Sequence, residues 1–181
     1  MPIILYCGPM YSGKSKDLIQ KYTTDKDTKI AIKPKTDSRN GNVIYTRYND
    51  KKIPCVVLDN IDISNFRFFK NIYIDEYQFF QPEQLLDLIN FCRLTNKNLF
   101  IYGLDLTFEK KEWASFTAIK DKVDRVERLT AECTVDGCHE DAIYSCRIYE
   151  NQLTNISKAI IEIEGLNQNY KYEPRCRKHF E

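Results

Sequence analysis

Short apolar runs recur along the first two thirds of the chain: "PIILYC", "KIAIKP", "PCVVL", "NIYID" and "NLFIYGLD". Each is only a few residues long, β-branched or aromatic in character, and apolar at almost every position. That pattern predicts strands buried on both faces. A second period lies between them. "SKDLIQKYTT" reads as a helix after the first strand. "QPEQLLDLINFCRLTN" sets Leu85, Leu88, Ile89 and Cys92 on one helical face, with Pro82 at the helix start. Strand and helix in alternation predict an α/β fold, a parallel sheet flanked by helices. Residues 35–52, "KTDSRNGNVIYTRYNDKK", are polar and hold the turn signal Asn40-Gly41, so they predict a long loop. After about residue 130 the pattern changes. "AIYSCRIY" and "SKAIIEIEG" are β-type runs separated by polar "ENQLTNI". They predict a small β-rich lobe over residues 131–181, appended to an α/β domain over 1–130.

Composition narrows the class. The chain has 181 residues, 43% hydrophobic and 29% charged, which suits a folded domain with a sizeable core. Its net charge is +1, so no global electrostatic footprint points to nucleic acid or to an anionic membrane. The first apolar run is too short for a transmembrane helix and lacks the basic flank of a signal peptide. The expectation is a cytoplasmic protein with no membrane or nucleic-acid partner. In that compartment seven cysteines predict metal ligands or core residues rather than disulfides.

The stretch "GPMYSGKS", Gly8, Pro9, Met10, Tyr11, Ser12, Gly13, Lys14 and Ser15, fits G-x-x-x-x-G-K-[ST] and falls between a predicted strand and a predicted helix. Glycines let backbone N–H groups converge on phosphate oxygens, and the following helix aims its positive end at the anion. Lys14 adds a cation for the β- and γ-phosphates, and Ser15 a hydroxyl for Mg²⁺. Such a loop needs a metal-organising acid at the end of a neighbouring strand, and "NIYID" ends in Asp75, followed by Glu76. Side chains alternate along a strand, so one carboxylate can face Mg²⁺ while the other accepts a proton from an attacking alcohol. The guanine-specific N-K-x-D is missing; "NKNL" at 96–99 lacks the acid. The pattern suits ATP and a small-molecule kinase better than a GTPase.

Cys133, Cys138, Cys176 and His179 give C-x4-C, then a 37-residue gap, then C-x2-H. Those spacings suit a structural Zn²⁺ with all four positions filled; the alternative is four free side chains in a small β lobe. His139, beside Cys138, reads as solvated. Cys7, Cys55, Cys92 and Cys146 lie in strand or helix patterns and read as small core residues.

In this order, "GPMYSGKS", "TDSR", "DEYQFF", "GLDLTF" and a cysteine lobe ending "CRKH" resemble the zinc-containing thymidine kinases of animal cytosol, bacteria and large DNA viruses. The resemblance spans about residues 3–180. It implies transfer of the γ-phosphate of ATP to the 5′-hydroxyl of thymidine, and of deoxyuridine as well. It implies Glu76 as general base, Asp75 in the Mg²⁺ shell, and Asp37 and Arg39 as the family's Asp-x-Arg at the transferring phosphate. It sets Met10, Gln78, Phe79, Leu104, Phe108 and Trp113 around the nucleoside, Trp113 standing where the family usually has Phe. Ser145 matches a threonine near the thymine methyl, and Tyr172 a tyrosine that closes the sugar pocket. A lasso loop between about Ile148 and Tyr172, with Ile163 and Gly165, is implied to grip the base through its main chain. The family is commonly homotetrameric, so a homo-oligomer, tetramer or dimer, is implied. Two departures stand out: Tyr77 replaces a small residue, and Cys133 and Cys138 are separated by four residues rather than two, with Gly137 in a wider turn. Two other classes share the phosphate loop: a nucleic-acid-stimulated ATPase with a zinc knuckle, and a non-enzymatic nucleotide-binding adaptor.

Overall fold

The computed structural model describes residues 1–149 and 170–180. The chain starts with β1 (Ile3–Cys7), the phosphate-loop stretch, α1 (Lys14–Thr24) and β2 (Lys29–Pro34). A hairpin of β3 (Val43–Tyr45) and β4 (Lys52–Pro54) leads into β5 (Val56–Leu58). β6 (Asn71–Ile74), α2 (Pro82–Leu94) and β7 (Asn98–Gly103) follow, then α3 (Ala114–Ile119) and β8 (Arg125–Arg128). Six strands form one sheet in the order β5-β2-β6-β7-β1-β8, and every pairing within it is parallel. The apolar runs therefore mean what parallel strands require, burial on both faces.

Alternation along each strand divides the core in two. Ile3, Leu5, Ile72, Ile74, Leu99 and Ile101 face one side and pack with Leu85, Leu88, Ile89 and Cys92 of α2 and Phe116 and Ile119 of α3. Ile4, Tyr6, Tyr73, Phe100 and Tyr102 face the other, with Leu18 and Ile19 of α1. This second face is aromatic: Tyr6 stacks on Tyr102 with ring centroids 4.5 Å apart, and Tyr73 on Phe100 at 4.8 Å.

The polar stretch 35–52 is not a loop throughout. Ile44 and Ile53, both buried, close over the aromatic face beside α1, and the β3–β4 hairpin is what places them there. Two isoleucines suffice to seat a hairpin that its polar neighbours disguise. Beyond β8, β9 (Ala131–Glu132) pairs with β10 (Asp141–Ala142), and β11 (Tyr144–Tyr149) with β12 (Tyr170–Arg175), both antiparallel. The run "AIIEIEG" lies outside the described residues. Among the described residues no helix is long and apolar enough to cross a membrane.

Candidate active site

The loop after β1 bends where its sequence allows. Gly8 has φ 148°, Tyr11 φ 66° and Gly13 φ 81°. Gly13 is the N-cap of α1 and no side chain caps the helix, so the first-turn amides face the loop. Lys14 Nζ folds back on this loop, donating to the carbonyls of Gly8 (3.0 Å) and Pro9 (2.6 Å) and to Ser12 Oγ (3.2 Å). Loss of hydration pushes its pKa down, opposed by the charges of Glu76, Asp75 and Asp105.

The acids come from β6, but β6 does not neighbour β1. β7 lies between them, so the acid reaches the loop across one intervening strand. Ser15 Oγ lies 3.5 Å from Asp75 Oδ2. Burial, together with the charges of Glu76 and Asp37, raises the Asp75 carboxyl to about 7. The Ser15 hydroxyl and the Asp75 carboxyl side by side are an oxygen donor pair that a hard divalent cation fits.

At Glu76 the chain leaves the strand with φ 53°, a left-handed conformation that a non-glycine residue adopts at some cost. There its carboxylate is held by Arg39 and Gln78. Oε1 accepts from Arg39 Nη2 at 2.7 Å and Oε2 from Gln78 Nε2 at 2.6 Å. Arg39 Nε also donates to Asp37 Oδ1 at 2.6 Å. Burial acts to lower the Arg39 pKa, but Glu76 and Asp37 outweigh it and raise it. Lys33 was not foreseen as a site residue. Only 1% exposed at the end of β2, it donates to the Arg39 carbonyl and sits 3.6 Å from Asp37 Oδ2, tying down the segment that carries Arg39. Its signal is a lysine closing an apolar run with an aspartate four residues on.

These groups line one cleft of about 1180 Å³. Met10 through Ser15, Asp37, Arg39, Asp75, Glu76, Gln78, Phe79, Leu104, Phe108, Trp113, Ser145 and Tyr172 all border it; Gly8 and Pro9 do not. Ile163 and Gly165 lie outside the described residues. Phe79 meets Trp113 edge-on at 5.6 Å between centroids, and Phe108 and Tyr172 lie tilted at 6.5 Å, so two aromatic pairs wall the cleft. Met10 N donates to Ser145 Oγ at 2.9 Å, joining the phosphate loop to β11. Gln78 does more than border the space. Its Oε1 accepts from Leu104 N at 3.1 Å while its Nε2 holds Glu76.

The metal-binding pattern also closes in space. The ligand atoms of Cys133, Cys138, Cys176 and His179 all lie within 4.8 Å of one another. Cys133 Sγ is 3.6 Å and Cys176 Sγ 3.3 Å from His179 Nδ1, and the sulfurs of Cys138 and Cys176 are 3.9 Å apart. A tetrahedral zinc with bonds of about 2.3 Å to sulfur and about 2.0 Å to nitrogen needs edges of roughly 3.5 to 3.8 Å, and these three contacts lie close to that range, so the four residues fit it. Gly137, at φ 72°, makes the wider turn that the four-residue separation calls for. His139 is exposed, and Cys7, Cys55, Cys92 and Cys146 are buried.

Comparison with known proteins gives the family of the chain. The family model described as thymidine kinase matches residues 1–180. The thymidine kinase of sheeppox virus (strain KS-1) is 32% identical over 97% of this chain and 94% of its own. That of Aster yellows witches'-broom phytoplasma is 28% identical over 98% of this chain and 85% of its own. Among solved structures, a Pif1 helicase on forked DNA superposes with a TM-score of 0.40 and 12% identity. That match spans 71% of this chain and 39% of the helicase, a likeness too slight to bear on activity. Matched by one family model along almost its whole length, the chain belongs to the thymidine kinase family.

Proposed function

We propose that the protein transfers the γ-phosphoryl group of ATP to the 5′-hydroxyl of thymidine, with Glu76 as the general base. One observation carries this reading: the Glu76 carboxylate is held on both oxygens, by Arg39 and Gln78, on the wall of the cleft that the phosphate loop opens. A carboxylate fixed by a cation and an amide keeps further lone pairs for a sugar hydroxyl.

The same reading assigns the remaining roles. Loop amides and the start of α1 cradle the phosphates, and Lys14 exchanges loop carbonyls for phosphate oxygens. Arg39, already at Glu76, offsets charge on the transferring group. Ser15 and Asp75 hold Mg²⁺, which supplies charge neutralisation at the β- and γ-phosphates when bound. Phe79, Trp113, Phe108 and Tyr172 sandwich the base and sugar, with Met10, Leu104 and Ser145 filling around them. Backbone groups near Ile163 and Gly165 read the base edge. The reading includes deoxyuridine as a second acceptor, a homo-oligomer of two or four chains, a cytoplasmic location, and no nucleic-acid partner. It divides the chain into an ATP-binding α/β domain, 1–130, and a zinc-binding β lobe whose lasso loop closes the nucleoside site, 131–181.

The test is a nucleoside panel with ATP and Mg²⁺. Thymidine monophosphate forms from thymidine; loss of ATP only with polynucleotide, or no product at all, overturns the reading. Glu76→Gln lowers kcat by about 10² to 10⁴ with ATP binding retained. Unchanged turnover in that variant removes Glu76 from its role.

A further inference from the structure

Arg147 is an arginine that is 4% exposed, on a strand outside the six-stranded sheet. Neither the phosphate loop nor the metal cluster uses it. Its guanidinium carbon lies 3.8 Å from the ring centroid of Phe108, 4.7 Å from that of Tyr170 and 5.5 Å from that of Tyr172. Two of its nitrogens, Nε at 3.1 Å and Nη2 at 2.9 Å, donate to the Tyr172 hydroxyl. Arg147 and Tyr172 are directly opposed across the β11–β12 pair. Phe108 comes from elsewhere, the segment that follows β7.

Phe108 and Tyr172 both border the cleft, whereas Arg147 stands behind them. The two aromatic residues arrive from segments more than sixty residues apart in sequence, and one side chain fastens both. A guanidinium suits the task. Its flat face stacks on a ring while its edge forks to a hydroxyl, so it fixes one ring by its face and the other by its oxygen. A lysine retains the charge but has neither the plane nor the fork.

We infer that Arg147 is a positioning residue for the nucleoside. It holds Phe108 and Tyr172 in register as one wall of the thymidine pocket and leaves the ATP side untouched. The inference rests on the proposed placement of thymidine between these aromatic residues.

Steady-state kinetics of Arg147→Met and Arg147→Lys, each with zinc content and a thermal midpoint, test it. The Met variant raises the KM for thymidine about tenfold, the worth of one desolvated cation–aromatic contact. Its kcat falls no more than about threefold, and its KM for ATP stays within about twofold. The Lys variant recovers part of the thymidine KM and no more. Tyr172→Phe keeps the ring and removes the acceptor, and raises the thymidine KM by about three- to tenfold, which tests the fork even if Arg147→Met does not fold. An equal rise in both KM values, or a thymidine KM unchanged in both Arg147→Met and Tyr172→Phe, overturns the inference. Phe108→Ala separates the two levels. If it leaves the thymidine KM unchanged, the pocket placement fails; if it raises the KM while the Arg147 variants do not, only the positioning role fails.

Discussion

Gly103 and Tyr77 explain each other. Tyr77, where the family has a small residue, is fully buried behind the site and donates its hydroxyl to the Leu104 carbonyl at 2.9 Å. Its ring occupies the space a side chain at 103 would need: a Cβ there would lie 2.6 Å from Tyr77 Cδ1 and 2.2 Å from Gln78 Oε1. Gly103→Ala therefore forces Gln78 off Leu104 N and loosens its hold on Glu76. We expect destabilisation of about 1–3 kcal/mol by denaturant titration and a fall in kcat larger than any change in KM. In the double variant with Tyr77→Ala the stability loss is smaller than the two single losses added, because the ring contact is shared. Asp75 makes stability depend on pH. Its ordinary value is 3.8 and in the fold it stands at about 7. Between those values the unfolded chain has released the proton that the folded chain keeps, so this group's contribution to stability declines as pH rises, and levels off above about 7. Asp75→Asn cannot ionise. Without nucleotide or divalent cation, its thermal midpoint gains on wild type from about pH 5 to about pH 7 and holds that lead beyond. A constant difference across the range contradicts the assignment. At this scale the sequence was most informative where chemistry sits in one contiguous stretch, as in Gly8 to Ser15. For Lys33 it offered only an aspartate four residues on. It was silent on Arg147, because an arginine within a β-type run shows its charge but not the aromatic rings that other segments bring to it.

At the scale of elements, the strands and the two longer helices were legible because burial writes a period into them. α2 buries the four residues that its pattern singled out, Leu85, Leu88, Ile89 and Cys92. What escaped was short. α3 has six residues and β8 four, neither long enough to build a period, and the β3–β4 hairpin shows only its two isoleucines through a polar stretch. "PCVVL" divides, with Pro54 ending β4 and Val56 beginning β5. The junction of β1 with α1 is closely packed. A Cβ on Gly8 would meet the Leu129 carbonyl oxygen at 2.1 Å, and Leu129 N donates to the Cys7 carbonyl at 2.8 Å, so the loop is pressed against the end of β8. Backbone cannot swing aside as a side chain can. Gly8→Ala, strained also by φ 148°, should cost about 2–4 kcal/mol and weaken ATP binding, read by calorimetry, while zinc content stays unchanged. Full ATP affinity in a folded Gly8→Ala protein contradicts the packed-loop account.

Over the whole molecule the strand order was beyond reach, since no local pattern reports that β7 inserts between β1 and β6. That insertion matters, because it sets the spacing across which Ser15 and Asp75 meet. The metal cluster was legible in spacing, but its consequence appears only in the fold. Cys133 and Cys138 flank the turn between β9 and β10, while Cys176 directly follows β12, which carries Tyr172. A zinc held by these three cysteines and one histidine would staple the strand bearing a pocket residue to a two-stranded sheet with little core: around them Ala142 is buried and Ala131 and Val135 pack. A structural zinc contributes on the order of 10 kcal/mol in such settings, far more than that small cluster can bury. Its loss should unfasten Tyr172 while the six-stranded sheet, with two apolar faces of its own, persists. We therefore expect about one zinc per chain, and Cys176→Ser or exhaustive chelation to abolish zinc binding. Thymidine phosphorylation should then drop by at least about a hundredfold, with ATP binding reduced far less. Parallel loss of ATP binding and thymidine turnover would mean the zinc supports the entire fold. Full turnover in a zinc-free protein would mean the four residues need no metal to hold β12 in place.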